Sequence, residues 1–135
     1  MAYKFNKSNE HRWIDIDMNF DKHPITNDLV RKYDEEAIKR SLKNLIFTSK
    51  FDRPFQPYIN SRIRNLLFEN ITPITANLIR SNIKDLITKY EPRVNLLDIK
   101  VFAYPDQNYF ECTIIFRIVN REEEVTLTTA LERLR

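Results

Sequence analysis

None of the 135 residues is glycine. Glycine takes up a left-handed backbone without steric cost, and proteins average ~7% of it. A chain without it has to build its turns on Pro, Asn and Asp. Its absence also excludes glycine-rich phosphate loops and dinucleotide fingerprints, and with them most nucleotide-dependent enzyme classes.

The length fits a single domain spanning residues 1–135, with a core that needs no metal or disulfide. Nine Phe and six Tyr supply aromatic surface that a disordered chain lacks. The single cysteine, Cys112, excludes an internal disulfide and cannot form a zinc site by itself. That usage is compatible with a reducing cytoplasm. No apolar run approaches the ~20 residues needed to span a bilayer, and the segment from Met1 to Lys7 lacks the apolar core of a signal peptide. Lys and Arg total 22 against 19 Asp and Glu. This mild surplus is mixed along the chain, which is the pattern of a solvated surface.

Met1 to Asn9 is polar and reads as loose. Trp13 to Phe20 alternates apolar and acidic residues, which predicts a short extended segment with one buried face. Asp34, followed by Glu35 and Glu36, marks a helix start. Ile38, Leu42, Leu45 and Ile46 then share one helical face, with the end near Thr48 to Lys50. Pro54 and Pro57 exclude a regular helix from Phe51 to Asn60. A second, short helix is expected from Asn60 or Ser61, carrying Ile63, Leu66 and Leu67. Thr72-Pro73 is a cap followed by Pro at the first helical position. Ile79, Ile83, Leu86, Ile87 and Tyr90 form the stripe of the third helix, which Pro92 ends. Alternation then predicts strands over Leu97 to Ala103, Phe110 to Ile118 and Val125 to Thr129, with turns at Pro105 to Asn108 and Asn120 to Glu122. The tail from Leu131 to Arg135 is polar and reads as mobile. The fold class is α+β: about three helices followed by a small antiparallel sheet of roughly three strands with an exposed edge. That edge is open to pairing with another chain.

Little in the chain has the form of a reaction centre. A glycosidase needs two carboxylates across one cleft, one of them kept protonated. Glu69 and Glu91 are the candidates, but a structural ion pair or a partner contact accounts for both. Asp15, Asp17 and Asp21 lack the glycine and terminal Glu of a calcium loop. His11 and His23 have no companion ligands. Cys112 lies on an apolar strand face and reads as a small core residue. Arg62, Arg64 and Arg80 are diluted by Asp52, Glu69 and Asp85 and make no nucleic-acid stripe. No cofactor, nucleic acid, membrane or small-molecule substrate is expected. Tyr90-Glu91-Pro92-Arg93 reads on physical grounds as a helix stop, with Arg93 near the negative end of the helix dipole.

Three ordered stretches carry a resemblance. They are Asn44-Leu45 through Arg53-Pro54-Phe55-Gln56-Pro57, then Leu66-Leu67-Phe68-Glu69 with Thr75-Ala76, then Tyr90-Glu91-Pro92-Arg93-Val94 with Leu97-Asp98-Ile99. The sequence resembles the gp25-like baseplate wedge proteins of contractile phage tails, which are similar to a baseplate component of type VI secretion systems. It departs from them where the family usually has glycine: Phe51 and Ile59-Asn60-Ser61 stand in those regions. The resemblance implies a non-enzymatic virion protein of the tail baseplate, assembled in the host cytoplasm. Its implied partners are the helical core bundle of the wedge and the tail sheath subunits, whose strands it would accept to start the sheath. Glu91, Pro92 and Arg93 take the role of core-bundle contact, and Arg53, Phe55 and Glu69 are assigned to partner binding with them. Two other readings stand beside it: a lysozyme-like peptidoglycan hydrolase, and a binding protein similar to the anti-adaptors of a bacterial response regulator.

Overall fold

The computed structural model describes residues 13–17, 19–29 and 31–134. The segment from Met1 to Asn9, read as loose, lies outside the described residues. The chain divides into two compact units, residues 1–38 and 39–135, and helix α1 (Asp34–Phe47) runs from one into the other.

In the first unit, β1 (Ile14–Ile16) pairs antiparallel with β2 (Arg31–Tyr33), with Ile14 opposite Tyr33. Asp34 closes this ribbon: its N–H donates to the Trp13 carbonyl (2.7 Å), and its carboxylate accepts the Trp13 N–H (3.0 Å). The expected buried face of this strand is not formed. Ile14 and Ile16 are 55% and 51% exposed, while Asp17 beyond them is buried. A two-stranded ribbon of three-residue strands is too short to bury a face, so alternation was a poor guide here.

The second unit holds the main core. Leu42, Leu45 and Ile46 of α1 are buried. The helix stops at Phe47, and the Thr48 hydroxyl donates back to the Asn44 carbonyl (2.6 Å). The proline-bearing segment after it is a loop, closed by a bond from Phe51 N–H to the Pro57 carbonyl (3.2 Å). The second helix, α2 (Ile63–Leu66), is a single turn and starts later than Asn60 or Ser61. Asn60 and Ser61 instead accept the N–H groups of Arg62 (3.1 Å) and Ile63 (3.4 Å) and so launch it. The third, α3 (Pro73–Tyr90), is capped by the Thr72 hydroxyl, which accepts the Thr75 N–H (3.2 Å). Ala76, Ile79, Ile83, Leu86 and Ile87 form its buried stripe.

An antiparallel sheet follows, β3 (Val94–Tyr104), β4 (Tyr109–Ile118) and β5 (Glu124–Glu132), in the order β3-β4-β5. Helix α3 packs on β3. Phe110, Cys112, Ile114, Phe116 and Ile118 of the central strand are all buried. The architecture is therefore α+β, as the pattern of elements implied, with the two-stranded ribbon added to it. β5 runs past Thr129 to Glu132, so Leu131, read as part of a mobile tail, is buried within the sheet.

With no glycine, left-handed positions fall to other residues. Asn27, Asn108 and Asn120 take three of them, and Asn108 and Asn120 sit at the two turns of the sheet. Asn tolerates that conformation. Phe51 (φ 69°) and Arg62 (φ 54°) do not share that tolerance, and each carries a steric cost of roughly 1–2 kcal/mol. Replacing the exposed Phe51 with Asn or Gly should relieve part of it. Each variant is expected to gain about 0.5–1 kcal/mol in denaturant unfolding; a loss would show that the ring stabilises the loop by more than its backbone costs.

Candidate functional site

The corner between α3 and β3 is built by four residues. Tyr90 is the last residue of α3, and Glu91 caps it through its own N–H, which donates to the Ile87 carbonyl (3.0 Å). Pro92 prevents a further turn of helix, and Arg93 leads into β3. The Arg93 carbonyl accepts the Val119 N–H (2.9 Å), which ties the corner to the far end of β4.

The side chains do not both point outward. Glu91 is 4% exposed. Arg93 Nε donates to its Oε1 (2.6 Å) and Nη2 to its Oε2 (2.9 Å), a bidentate fork. Ser41 of α1 donates its hydroxyl to the same Oε2 (2.7 Å). Charge-assisted paired bonds of this kind are the strong and directional ones. Burial alone would raise the Glu91 carboxyl, but the Arg93 guanidinium and the Ser41 hydroxyl outweigh it and hold it below its usual 4.5. The resemblance assigned Glu91, together with Pro92 and Arg93, to contact with the core bundle. In the structure Glu91 is an internal brace, and the outward surface of the corner is Pro92 together with the Arg93 side chain, which is 30% exposed.

The other three residues assigned to partner binding lie in loops. Arg53 and Phe55 sit between α1 and α2, where Phe55 is 97% exposed, and Glu69 is exposed after α2. A ring so exposed at a proline-stiffened loop tip is the kind of apolar anchor that a partner would bury. Sequence reasoning placed Phe55 in a motif, but only the geometry shows that the fold leaves it bare.

Glu91 does not provide the general acid of a glycoside hydrolase. Glu91 is ionised and paired, the reverse of the protonated acid that a glycosidase requires. Burial pushes the Cys112 thiol up to about 12, so it is a core residue and not a nucleophile. The ring nitrogen Nδ1 of His23 accepts the N–H groups of Ile25 and Thr26 within its own turn (3.3 Å each). Among the described residues no group of three His, Cys, Asp or Glu is placed to hold a metal ion, and no helix is long and apolar enough to cross a membrane.

A feature absent from the sequence reading is an apolar groove of about 410 Å³ lined by Ile46, Phe47, Ile63, Leu67, Ala130 and Leu134, among others. It lies beside the end of β5, where the Leu134 N–H donates to the Leu67 carbonyl (3.0 Å). Ile46, Ile63 and Leu67 were legible as apolar helix faces, but Leu134 lay in the segment read as a mobile tail, so their convergence was not.

Comparison with known proteins fixes the family. Residues 32–123 match the family model described as baseplate wedge protein gp25. The chain belongs to that family. It is 32% identical over 112 residues to baseplate wedge protein gp25 of Enterobacteria phage T4, covering 83% of each chain. Two solved structures share the fold. One is a Geobacter sulfurreducens protein proposed to be a tail lysozyme, at 22% identity and TM-score 0.66, covering 75% of this chain and 92% of the other. The second is a chain of the anti-feeding prophage baseplate, at 19% identity and TM-score 0.61, covering 91% and 87%. The matched region of this gp25 family member contains both α3 and the corner.

The asymmetry of the Glu91–Arg93 pair has a measurable consequence. Removing Arg93 strands a buried carboxylate, whereas removing the charge of Glu91 leaves a guanidinium that can turn to water. Arg93→Met should therefore cost about 2–4 kcal/mol at neutral pH, and Glu91→Gln about 1–2 kcal/mol. Because the folded carboxyl is depressed, its contribution is present above 4.5 and lost as pH falls through the folded value. Denaturant unfolding over this range should show both variants converging on the parent chain in acid. An Arg93→Met deficit that did not shrink would contradict the assignment.

Proposed function

We propose that this chain is a structural component of the baseplate wedge of a contractile tail, docking on the helical core bundle of the wedge and starting the sheath by accepting its strands. Family membership supports the first part, since the T4 relative is a baseplate wedge protein. The observation that carries the second part is the outer edge of β5. Among the described residues no strand pairs with it.

The two edges of the sheet differ in how receptive they are. β3 carries a register break between Leu96 and Asp98 and an exposed Lys100, both of which discourage pairing. β5 is unbroken in register over its length, and its stretch Val125-Thr126-Leu127-Thr128-Thr129-Ala130-Leu131 has no charge and no proline. That composition favours β-structure. An incoming strand would gain backbone hydrogen bonds along β5 and a place for an apolar side chain in the groove beside Ala130. The short strand β1 belongs to a separate ribbon.

The docking surface is the corner and the loop tip: Pro92 and Arg93, with Arg53, Phe55 and Glu69. Glu91 acts behind them by fixing the guanidinium. In this reading the protein lies in the tail baseplate of the virion, needs no cofactor, and has no catalytic step.

Exchanging both charges for neutral groups, as Glu91→Gln with Arg93→Met, removes the pair without stranding either partner. That variant should fold, and baseplates assembled with it should lack the protein; full incorporation would sink the docking role. Phe55→Ser, at a position that buries nothing, should leave the melting temperature unchanged and lower incorporation at least about tenfold. For the strand role, Thr126→Lys with Thr128→Lys blunts the β5 edge at two exposed positions. Baseplates carrying it should fail to nucleate sheath subunits in a polymerisation assay, and normal sheath growth would remove β5 as the acceptor.

A further inference from the structure

A second concave surface adjoins the corner at Tyr90. It is a polar groove of about 480 Å³ between the loop after α1, the start of α2 and the last turns of α3. Lys50, Arg62 and Lys89 line it against a single carboxylate, Asp85, so its formal charge is three minus one, or +2. Tyr58 and Tyr90 supply its aromatic walls.

The three cations are held ready and are not neutralised within the chain. Among the described residues none of them forms an ion pair. Lys50 and Lys89 lie over the rings of their neighbours Phe51 and Tyr90, with the ammonium nitrogen 5.0 Å and 5.2 Å from the ring centroids. A face-on cation of this kind is oriented but keeps its charge available. Asp85 and Lys89 stand four residues apart on α3, a spacing that permits a bridge, yet no bridge is made. Arg62 is presented from a left-handed backbone (φ 54°), with its N–H held by the Asn60 side chain (3.1 Å). Strain of that kind persists only where its surroundings over-determine it. Arg62 is exposed and lines the groove.

We infer that this groove docks an acidic segment of a neighbouring baseplate protein. The inference rests on the baseplate reading and extends it by naming the partner's chemistry. Three convergent cations attract carboxylates and speed encounter with an acidic surface. Asp85, inside the groove, opposes a continuous phosphate backbone but is tolerable to a peptide whose charges are spaced. Continuity with the docking corner through Tyr90 gives the segment a route from one surface to the other.

The test uses the purified full chain and a fluorescein-labelled oligoglutamate peptide, followed by anisotropy at low salt. Saturable binding is expected, weakened about tenfold or more by the triple change Lys50→Glu, Arg62→Glu and Lys89→Glu, and weakened also by added salt. A control triple outside the groove, Arg64→Glu, Lys84→Glu and Lys100→Glu, should stay within about twofold of the parent. If the groove triple does not fold, the neutral Lys50→Gln, Arg62→Gln and Lys89→Gln triple replaces it. Equal losses in the two triples, or no binding by the parent, would overturn the proposal. Tighter binding of an oligothymidylate of equal charge would overturn it in favour of nucleic acid. Baseplate incorporation separates the two readings. A groove variant that incorporates normally while the neutral Glu91–Arg93 exchange does not would remove the groove and keep the corner. The reverse result would keep the groove and remove the corner.

Discussion

The bidentate bond between Arg93 and Glu91 sits where the second unit is most dependent on a single geometry. Its two residues flank the proline that ends α3 and starts β3, and Ser41 brings α1 to the same carboxylate. Two helices and the first strand of the sheet thus meet on one buried carboxylate. A buried charge is costly unless it is paired and its lone pairs are met. Here two guanidinium bonds and one hydroxyl bond meet them, and they outweigh the burial that would otherwise raise the carboxyl. The corner is therefore selective: a chain that placed α1 elsewhere would leave the Oε2 of a buried carboxylate short of a bond.

The missing glycines explain a second set of features. Asn108 and Asn120 turn the sheet at low cost, but Phe51 and Arg62 occupy left-handed positions on either side of the proline-bearing loop. Both positions carry large side chains in this chain. The loop keeps its shape through other bonds: Phe51 N–H to Pro57, Ser61 N–H to Thr48, and Arg62 N–H to Asn60. Those bonds stiffen the segment that presents Arg53 and Phe55. The strained positions thus sit within a loop held by its own hydrogen bonds.

Much of the second unit was legible because its signals are local. Thr72-Pro73 is a cap and first-turn pair, and the structure has them in those roles. The period-two run from Phe110 to Ile118 is a central strand covered on one face, which is the case in which alternation is most faithful. The same signal misled at Ile14 and Ile16, because alternation reports the possibility of a buried face and not the presence of a layer to cover it. Leu131 was passed over because Glu132 and Arg133 follow it, yet a strand at a sheet edge alternates outward charges with inward apolar groups. The burial of Glu91 was the least accessible feature. Nothing local to Tyr90-Glu91-Pro92-Arg93 distinguishes a charge that faces water from one that meets Ser41, fifty residues earlier in the chain.

That last point changes how the motif is understood. A Glu-Pro-Arg sequence at a helix end invites the view that both charges serve a partner directly. Geometry divides the labour: Glu91 is spent inside the fold, and in doing so it restricts the Arg93 side chain to one orientation at the surface. An arginine so held loses less entropy on binding than a free one, because its rotamers are already restricted. Pro92 limits the backbone in the same sense. In the proposed docking, Glu91 thus contributes without touching the partner. Loss of Glu91 is then expected to act through the orientation of Arg93, so a variant that keeps the guanidinium fixed by another acceptor should retain docking, whereas one that merely keeps a negative charge nearby should not.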